Sequence, residues 1–223
     1  EPGDGLDRPL CGTEADADRP LLAQPFEALD GEREVGAPLV PRDGVDLIVE
    51  RAIATAGGPL TIVTCGPLTN VAVALARGPE VAAGIERIVA MGAAIGLGNW
   101  TPSAEFNIYA DPEAAAAVIG SGVPFTLVPL EVTHRALATE EVLARIDALG
   151  TRVGSVSAAL MRFFAETYER VFGFEAPAVH DPCAVAYAID HSIVPTRRVH
   201  VEIDTTDGPS TGRTACDVHG ITK

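Results

Sequence analysis

Apolar positions fall into a regular pattern from residue 45 onward. Val45, Ile48, Val49, Ala52, Ile53 and Ala56 follow the i, i+3, i+4, i+7 spacing of a one-sided helix, opened by Asp43 and closed by Gly57-Gly58. Leu60-Thr61-Ile62-Val63-Thr64 is a short apolar run that reads as a buried strand. Gly66-Pro67 turns the chain, Thr69 is placed to cap a short helix over 70–77, and residues 87–91 form a second strand. A loop with Gly92, Gly96 and Gly98 follows, and Asp111-Pro112-Glu113 then supplies an N-cap and a first-turn proline to an alanine-rich helix. Residues 124–129 predict a third strand and 139–149 a helix, while Val153, Val156, Leu160, Phe163, Phe164 and Val171 stripe a longer helix. Asp181-Pro182 opens another helix, and 199–203 and 214–218 read as strands. Strands alternating with helices at this spacing predict an α/β fold, a mostly parallel sheet flanked by helices. Ligands of such sheets lie outside the carboxyl ends of the strands. That singles out the loops after Thr64, after Met91 and before Asp181.

The first 44 residues differ. They are dense in Pro, Gly, Asp and Glu, and Asp7-Arg8-Pro9-Leu10 recurs as Asp18-Arg19-Pro20-Leu21. The expected organisation is a loop-rich segment over 1–44 and an α/β domain over 45–223. The 223 residues are 47% hydrophobic, which suits a packed core rather than disorder. Their net charge of −15 argues against nucleic acid and anionic membrane as partners. No apolar run reaches the roughly 18 residues of a membrane span, and no charged-then-apolar leader marks a signal peptide. Cys11, Cys65, Cys183 and Cys216 form no CxxC pair, so a reduced, cytoplasmic protein is expected rather than a zinc site or disulfide framework.

The chemistry-bearing residues cluster in the expected loops. The glycines after Met91 do not make a dinucleotide fingerprint, because Asn99-Trp100-Thr101-Pro102 stands where the helix would have to begin. Asn99, Glu105 and Asn107 carry amide and carboxylate groups able to exchange hydrogen bonds with sugar hydroxyls. In an extended segment Glu105 and Asn107 would share a face, with Phe106 turned away. A solvated polar loop is the other reading of the same residues. Asp181 reads either as a helix cap or as a hard oxygen ligand for Ca²⁺ or Mg²⁺, with His180 beside it as a proton donor. Tyr168 shares a helix with Phe163 and Phe164; the pattern places it in a core or interface, and it is also a candidate substrate contact. His134, His191, His200 and His219 lack partners at informative spacing and read as surface or core histidines. No GxSxG nucleophile elbow occurs.

Taken in order, Thr64-Cys65-Gly66-Pro67-Leu68-Thr69-Asn70, Met91-Gly92 with Gly98-Asn99 and Thr101-Pro102, Ala104-Glu105-Phe106-Asn107-Ile108 with Asp111-Pro112-Glu113-Ala114-Ala115, Pro129-Leu130-Glu131-Val132-Thr133-His134, and His180-Asp181-Pro182-Cys183-Ala184 resemble the nucleoside hydrolase family, inosine-uridine preferring type. The resemblance covers about residues 45–220. It implies hydrolysis of the N-glycosidic bond of ribonucleosides to ribose and free base by a metal-activated water, with Ca²⁺ as cofactor. It also implies a homodimer or homotetramer.

Asp181 matches a metal ligand, and Cys65 matches the position offering a backbone carbonyl to the ion. Asn99, Glu105 and Asn107 match ribose contacts, and His180 matches the acid that protonates the leaving base. His180 also favours an inosine–uridine or pyrimidine type over a purine-only one. The rival expectation is a non-catalytic nucleoside- or pentose-binding protein, or an inactive paralogue, on the same scaffold.

Two departures from the family matter most. An Asp-rich signature near DTDPGxDD, which supplies most metal ligands and the general base, has no counterpart in the 223 residues, and the family's C-terminal helix region is not recognisable after Lys223. The expectation is a chain incomplete at both ends, inactive alone and without Ca²⁺ affinity below roughly millimolar. Asp4 with Gly3 and Gly5-Leu6 matches part of a His-Gly-x-x-Gly-Leu loop lacking its histidine, and residues 17–22 match a segment before that loop equally well. Glu131 stands where the family often carries Asp or Asn.

Overall fold

The structure is a computed structural model that describes residues 43–54, 58–173 and 176–221. The chain divides into the segments Glu1–Pro41 and Arg42–Lys223, and the description concerns the second. The loop-rich reading of 1–44 falls, up to residue 42, outside the described residues.

Helix α1 spans Gly44–Ile53, and the Asp43 carboxylate caps it by accepting the Val45 N–H at 2.7 Å. Strand β1 (Leu60–Thr64) leads through Gly66-Pro67 into α2 (Thr69–Leu75). The expected cap by Thr69 is corrected: Leu68 occupies the N-cap without a side-chain bond, and the Thr69 hydroxyl donates to Asp111 instead. The pattern missed α3 (Pro79–Ala83), a turn and a half too short for a period to declare itself, and β2 (Ile85–Met91) begins earlier than the apolar run suggested. Two short helices, α4 (Phe106–Ala110) and α5 (Pro112–Ile119), precede β3 (Phe125–Val128). Asp111 caps α5 as expected, accepting the Ala114 N–H at 3.0 Å.

Beyond β3 come α6 (Leu130–Thr133), α7 (Glu140–Asp147), α8 (Arg152–Phe172) and α9 (Asp181–Ile189), then β4 (Val201–Ile203) and β5 (Thr214–Cys216). Among the described residues, β1, β2 and β3 form one parallel sheet in that order, with β2 central, while β4 and β5 pair antiparallel as a separate ribbon. The fold is the expected α/β class.

Alternation along the strands builds two cores, one on each face of the sheet. Ile88 and Ala90 of β2 face α1, α2, α3 and α5 together with Leu60, Ile62 and Leu127. Val89 and Met91 face α9 with Val63, Val128, Ala184 and Tyr187. Ile88 and Val89 are wholly buried, and removing such side chains from water contributes about 1.5–3 kcal/mol each. Gly84 shows how close the layers lie, since a Cβ there would meet the Ala52 carbonyl oxygen at 1.8 Å.

The α7–α8 pair is fastened by Arg162, which binds Glu140 at 2.6 Å and Asp147 at 2.7 Å. The stripe expected to bury α8 does the opposite. Val153, Val156, Leu160, Phe163 and Phe164 are all exposed, while Ala158 and Tyr168 face inward. The pattern was a true helical period whose apolar face is turned outward among the described residues. No helix of these residues is long and apolar enough to cross a membrane.

Candidate active site

The carboxyl ends of the three parallel strands share one edge of the sheet, and the candidate residues follow directly from them. Cys65 succeeds β1. The segment carrying Asn99, Glu105 and Asn107 succeeds β2, α6 succeeds β3, and the N-terminus of α9 brings His180 and Asp181 alongside.

Glu105 is the most constrained of these groups, with 2% of its surface exposed. It is the N-cap of α4, not part of an extended segment: Oε1 accepts the Asn107 N–H at 3.0 Å, and Oε2 accepts the Ile108 N–H at 3.2 Å. Oε2 also accepts the Ala93 N–H at 3.0 Å, which ties the loop after β2 to the helix. The expected pairing survives by a different geometry, because Glu105 and Asn107 are both buried while Phe106 points outward. Asn107 donates from Nδ2 to the Met91 carbonyl at 3.1 Å and lies 3.4 Å from the Met91 sulfur. Burial, chiefly, and then the charge of Asp181 hold the Glu105 pKa above the ordinary carboxylate value, against the lowering effect of the three amide donors. Asn99 uses Oδ1 to accept the Phe106 N–H at 2.9 Å, and no described residue takes its Nδ2.

Asp181 and Cys65 are both exposed at this edge. Burial and then the Asp181 carboxylate push up the Cys65 thiol, so the charge of Asp181 is felt at Cys65 and Glu105 alike. The capping role for Asp181 is not realised. His180 occupies the N-cap of α9 without any side-chain cap bond, and partial desolvation raises the Asp181 carboxyl above its ordinary value. A carboxylate at a helix start that spends no oxygen on the helix has both for a ligand.

His180 is held through both ring nitrogens. Nδ1 lies 2.8 Å from Thr133 Oγ1 and Nε2 lies 2.8 Å from Tyr168 Oη. Burial lowers the His180 pKa, and His134 lowers it further, while burial raises that of Tyr168. In the neutral imidazole one nitrogen donates and the other accepts: either Tyr168 donates to Nε2 while Nδ1–H donates to Thr133, whose hydroxyl also lies 3.4 Å from the Leu130 carbonyl, or Thr133 donates to Nδ1 while Nε2–H donates to Tyr168. In the imidazolium both nitrogens donate, so Nε2–H donates to Tyr168 Oη and Nδ1–H to Thr133 Oγ1. Tyr168 therefore joins the histidine from the buried side of α8.

Thr133, His134 and Met91 belong to this constellation and were not identified from the sequence. The His134 ring stands 5.6 Å from that of His180, which corrects its reading as a histidine without a partner. The signal was available in the loop after β3, since the rule that favoured the ends of β1 and β2 applies equally there.

Among the described residues, no three His, Cys, Asp or Glu side chains stand together as a metal site. Against the six to eight oxygens that Ca²⁺ takes, the Asp181 carboxylate and Cys65 carbonyl are too few to fit the ion by themselves.

The family described as inosine-uridine preferring nucleoside hydrolase matches residues 3–223. The pyrimidine-specific ribonucleoside hydrolase RihB of Escherichia coli O17:K52:H18 is 40% identical over 177 residues, covering 79% of this chain and 56% of that protein. Among solved structures, the purine-preferring ribonucleoside hydrolase from Gardnerella vaginalis superposes with a TM-score of 0.72 at 36% identity, over 79% of this chain and 56% of the other. A plant nucleoside hydrolase, PpNRh1, gives a TM-score of 0.76 at 28% identity, over 81% and 57%. The chain thus spans a little over half the length of each of these three relatives.

Proposed function

Because the chain belongs to the inosine-uridine preferring nucleoside hydrolase family, we propose that its protein cleaves the N-glycosidic bond of ribonucleosides, releasing ribose and the free base. The observation that carries this reading is the buried Glu105–Asn107 pair in the segment after β2, close enough to the start of α9 for the Asp181 charge to reach Glu105. In the reaction the C1′–N bond breaks with its electron pair leaving on the base, which takes up a proton. The oxygen of water bonds to C1′ and gives up a proton in turn. Positive charge develops on the ribosyl group in between, and a fixed carboxylate and oriented amides stabilise it because they need not reorganise.

In this proposal Asn99, Glu105 and Asn107 hold the ribose hydroxyls. Tyr168 contacts the base side of the substrate, and His180 is the source of the proton for the leaving base. The Tyr168–His180–Thr133 chain supports that role by giving a proton a continuous path from an interior nitrogen to a hydroxyl. Asp181 and the Cys65 carbonyl are the proposed contribution of these residues to a metal site, with Ca²⁺ the ion. Free thiols at Cys65, Cys183 and Cys216 suit a cytoplasmic setting, and the assembly is read as a homodimer or homotetramer, which sedimentation measures directly.

Release of reducing sugar from uridine and inosine tests the activity. Glu105→Gln and Asn107→Ala are each expected to depress kcat/KM by roughly 2–4 kcal/mol, about 30- to 1000-fold. Wild-type kinetics in both variants would remove this loop from the site.

A further inference from the structure

We infer that Glu131 is a positioning residue for the ribose-binding loop, its carboxylate holding residues 92–99 in the shape that presents Asn99. The inference rests on the ribose-binding role proposed for that loop. Glu131 lies on α6, after β3, yet its side chain reaches the segment after β2. Oε1 accepts the Gly96 N–H at 2.8 Å and the Ile95 N–H at 3.1 Å, and Oε2 also stands 3.1 Å from the Ile95 nitrogen. Hydrogen bonds from amides to a charged acceptor are stronger than neutral ones, and two successive amides on one carboxylate fix the backbone direction.

Each end of the loop has its own fastening. At the start, Ala93 donates to Glu105 and accepts from the Leu130 N–H at 3.0 Å. Ala93 is the one non-glycine among the described residues with positive φ, at 74°, a conformation that persists only where its surroundings hold it. At the far end Gly98 donates to Pro102 at 3.2 Å, Asn99 accepts from Phe106, and a Cβ on Gly98 would meet the Ala104 carbonyl oxygen at 2.1 Å.

Between these anchors lie Ala94, which is buried in the core under α9, and the exposed Ile95, Gly96 and Leu97. The described hydrogen bonds of these four residues all end on Glu131. Leu97 is 78% exposed and contributes little packing, and glycines at 96 and 98 leave the free backbone many alternatives. Without Glu131, residues 95–97 would have to be ordered each time a ribose binds, a cost that falls on affinity.

Trp100 makes the inference measurable without turnover. It is the chain's single tryptophan, it follows Asn99 directly, and it packs edge-on against Phe106 at 5.1 Å. In the full chain, Glu131→Ala is expected to raise acrylamide quenching of Trp100 about twofold, and to raise KM for uridine about tenfold with kcat changed much less. Because Glu131 is exposed, the melting temperature should barely move. Glu131→Gln keeps the size but offers one accepting oxygen and should fall between Ala and wild type. Glu131→Asp keeps the charge and should restore most of the KM. Wild-type quenching and KM in Glu131→Ala would overturn the inference, as would a loss of activity that tracks a fall in melting temperature with Trp100 unaffected. Absence of any nucleoside turnover in the wild-type protein would sink the proposed activity instead, and the quenching comparison would still decide whether Glu131 holds the loop.

Discussion

The pH response follows from two residues whose environments push in opposite directions. Glu105 has its pKa raised above 4.5 by burial, and His180 has its pKa lowered below 6.5 by burial and by His134. If Glu105 works as the carboxylate and His180 as the imidazolium, activity on natural nucleosides falls on the acid side as Glu105 protonates. It falls again on the alkaline side as His180 loses its proton, which gives a narrow bell with an acidic optimum. A base that leaves without protonation needs only Glu105. With p-nitrophenyl riboside the alkaline limb should vanish and His180→Ala should cost little, whereas the same variant should lose most activity on inosine and uridine. Equal losses on both substrates would make His180 a structural residue. The residue types at 99, 105, 107, 180 and 181 were legible in the sequence because their chemistry is local. Thr133 and His134 were not, because their value lies in a contact with His180 across 47 positions of chain that no spacing encodes.

At the scale of elements, Asp111 holds two pieces together. It caps α5 through Ala114, and it accepts the Thr69 hydroxyl from α2. Asp111→Ala is therefore expected to cost about 1 kcal/mol for the cap and somewhat more for the link, read as a lower urea midpoint with an unchanged slope. Gly84→Ala should cost about 1–3 kcal/mol, because the Ala52 carbonyl already occupies the place of the new methyl group. Strand β1 and helices α5, α7 and α9 could be read in advance, since apolar runs, caps and prolines agree on their limits. Helices α3, α4 and α6 have four or five residues each, too few to show a period. The stripe on α8 was legible as a period, but not its direction, because periodicity tells which residues share a face and not what that face meets.

Over the whole molecule the dominant electrostatic fact is the imbalance of 31 acidic against 16 basic residues. The described ion pairs lie largely in solvent and contribute little, so mutual repulsion of surface carboxylates outweighs them. Raising NaCl from 10 to 200 mM should therefore raise the melting temperature by a few degrees and then level off, as the screening length falls toward roughly 8 Å. A falling melting temperature would show that the Arg162 bridges outweigh the repulsion.

The order of the three strands and of α9 along the chain also governs when the site comes into being. A ribosome delivers Cys65 first, then the Glu105–Asn107 pair with β2 already at hand, then Thr133. Tyr168 and then His180 itself arrive only after a long helix has been made. Along the chain, the residues proposed to hold the sugar thus precede those proposed to protonate the base. A nascent chain stalled before α9 would lack Ala184 and Tyr187, so Val89 and Met91 would stay uncovered on that face of the sheet until the last of these residues is made.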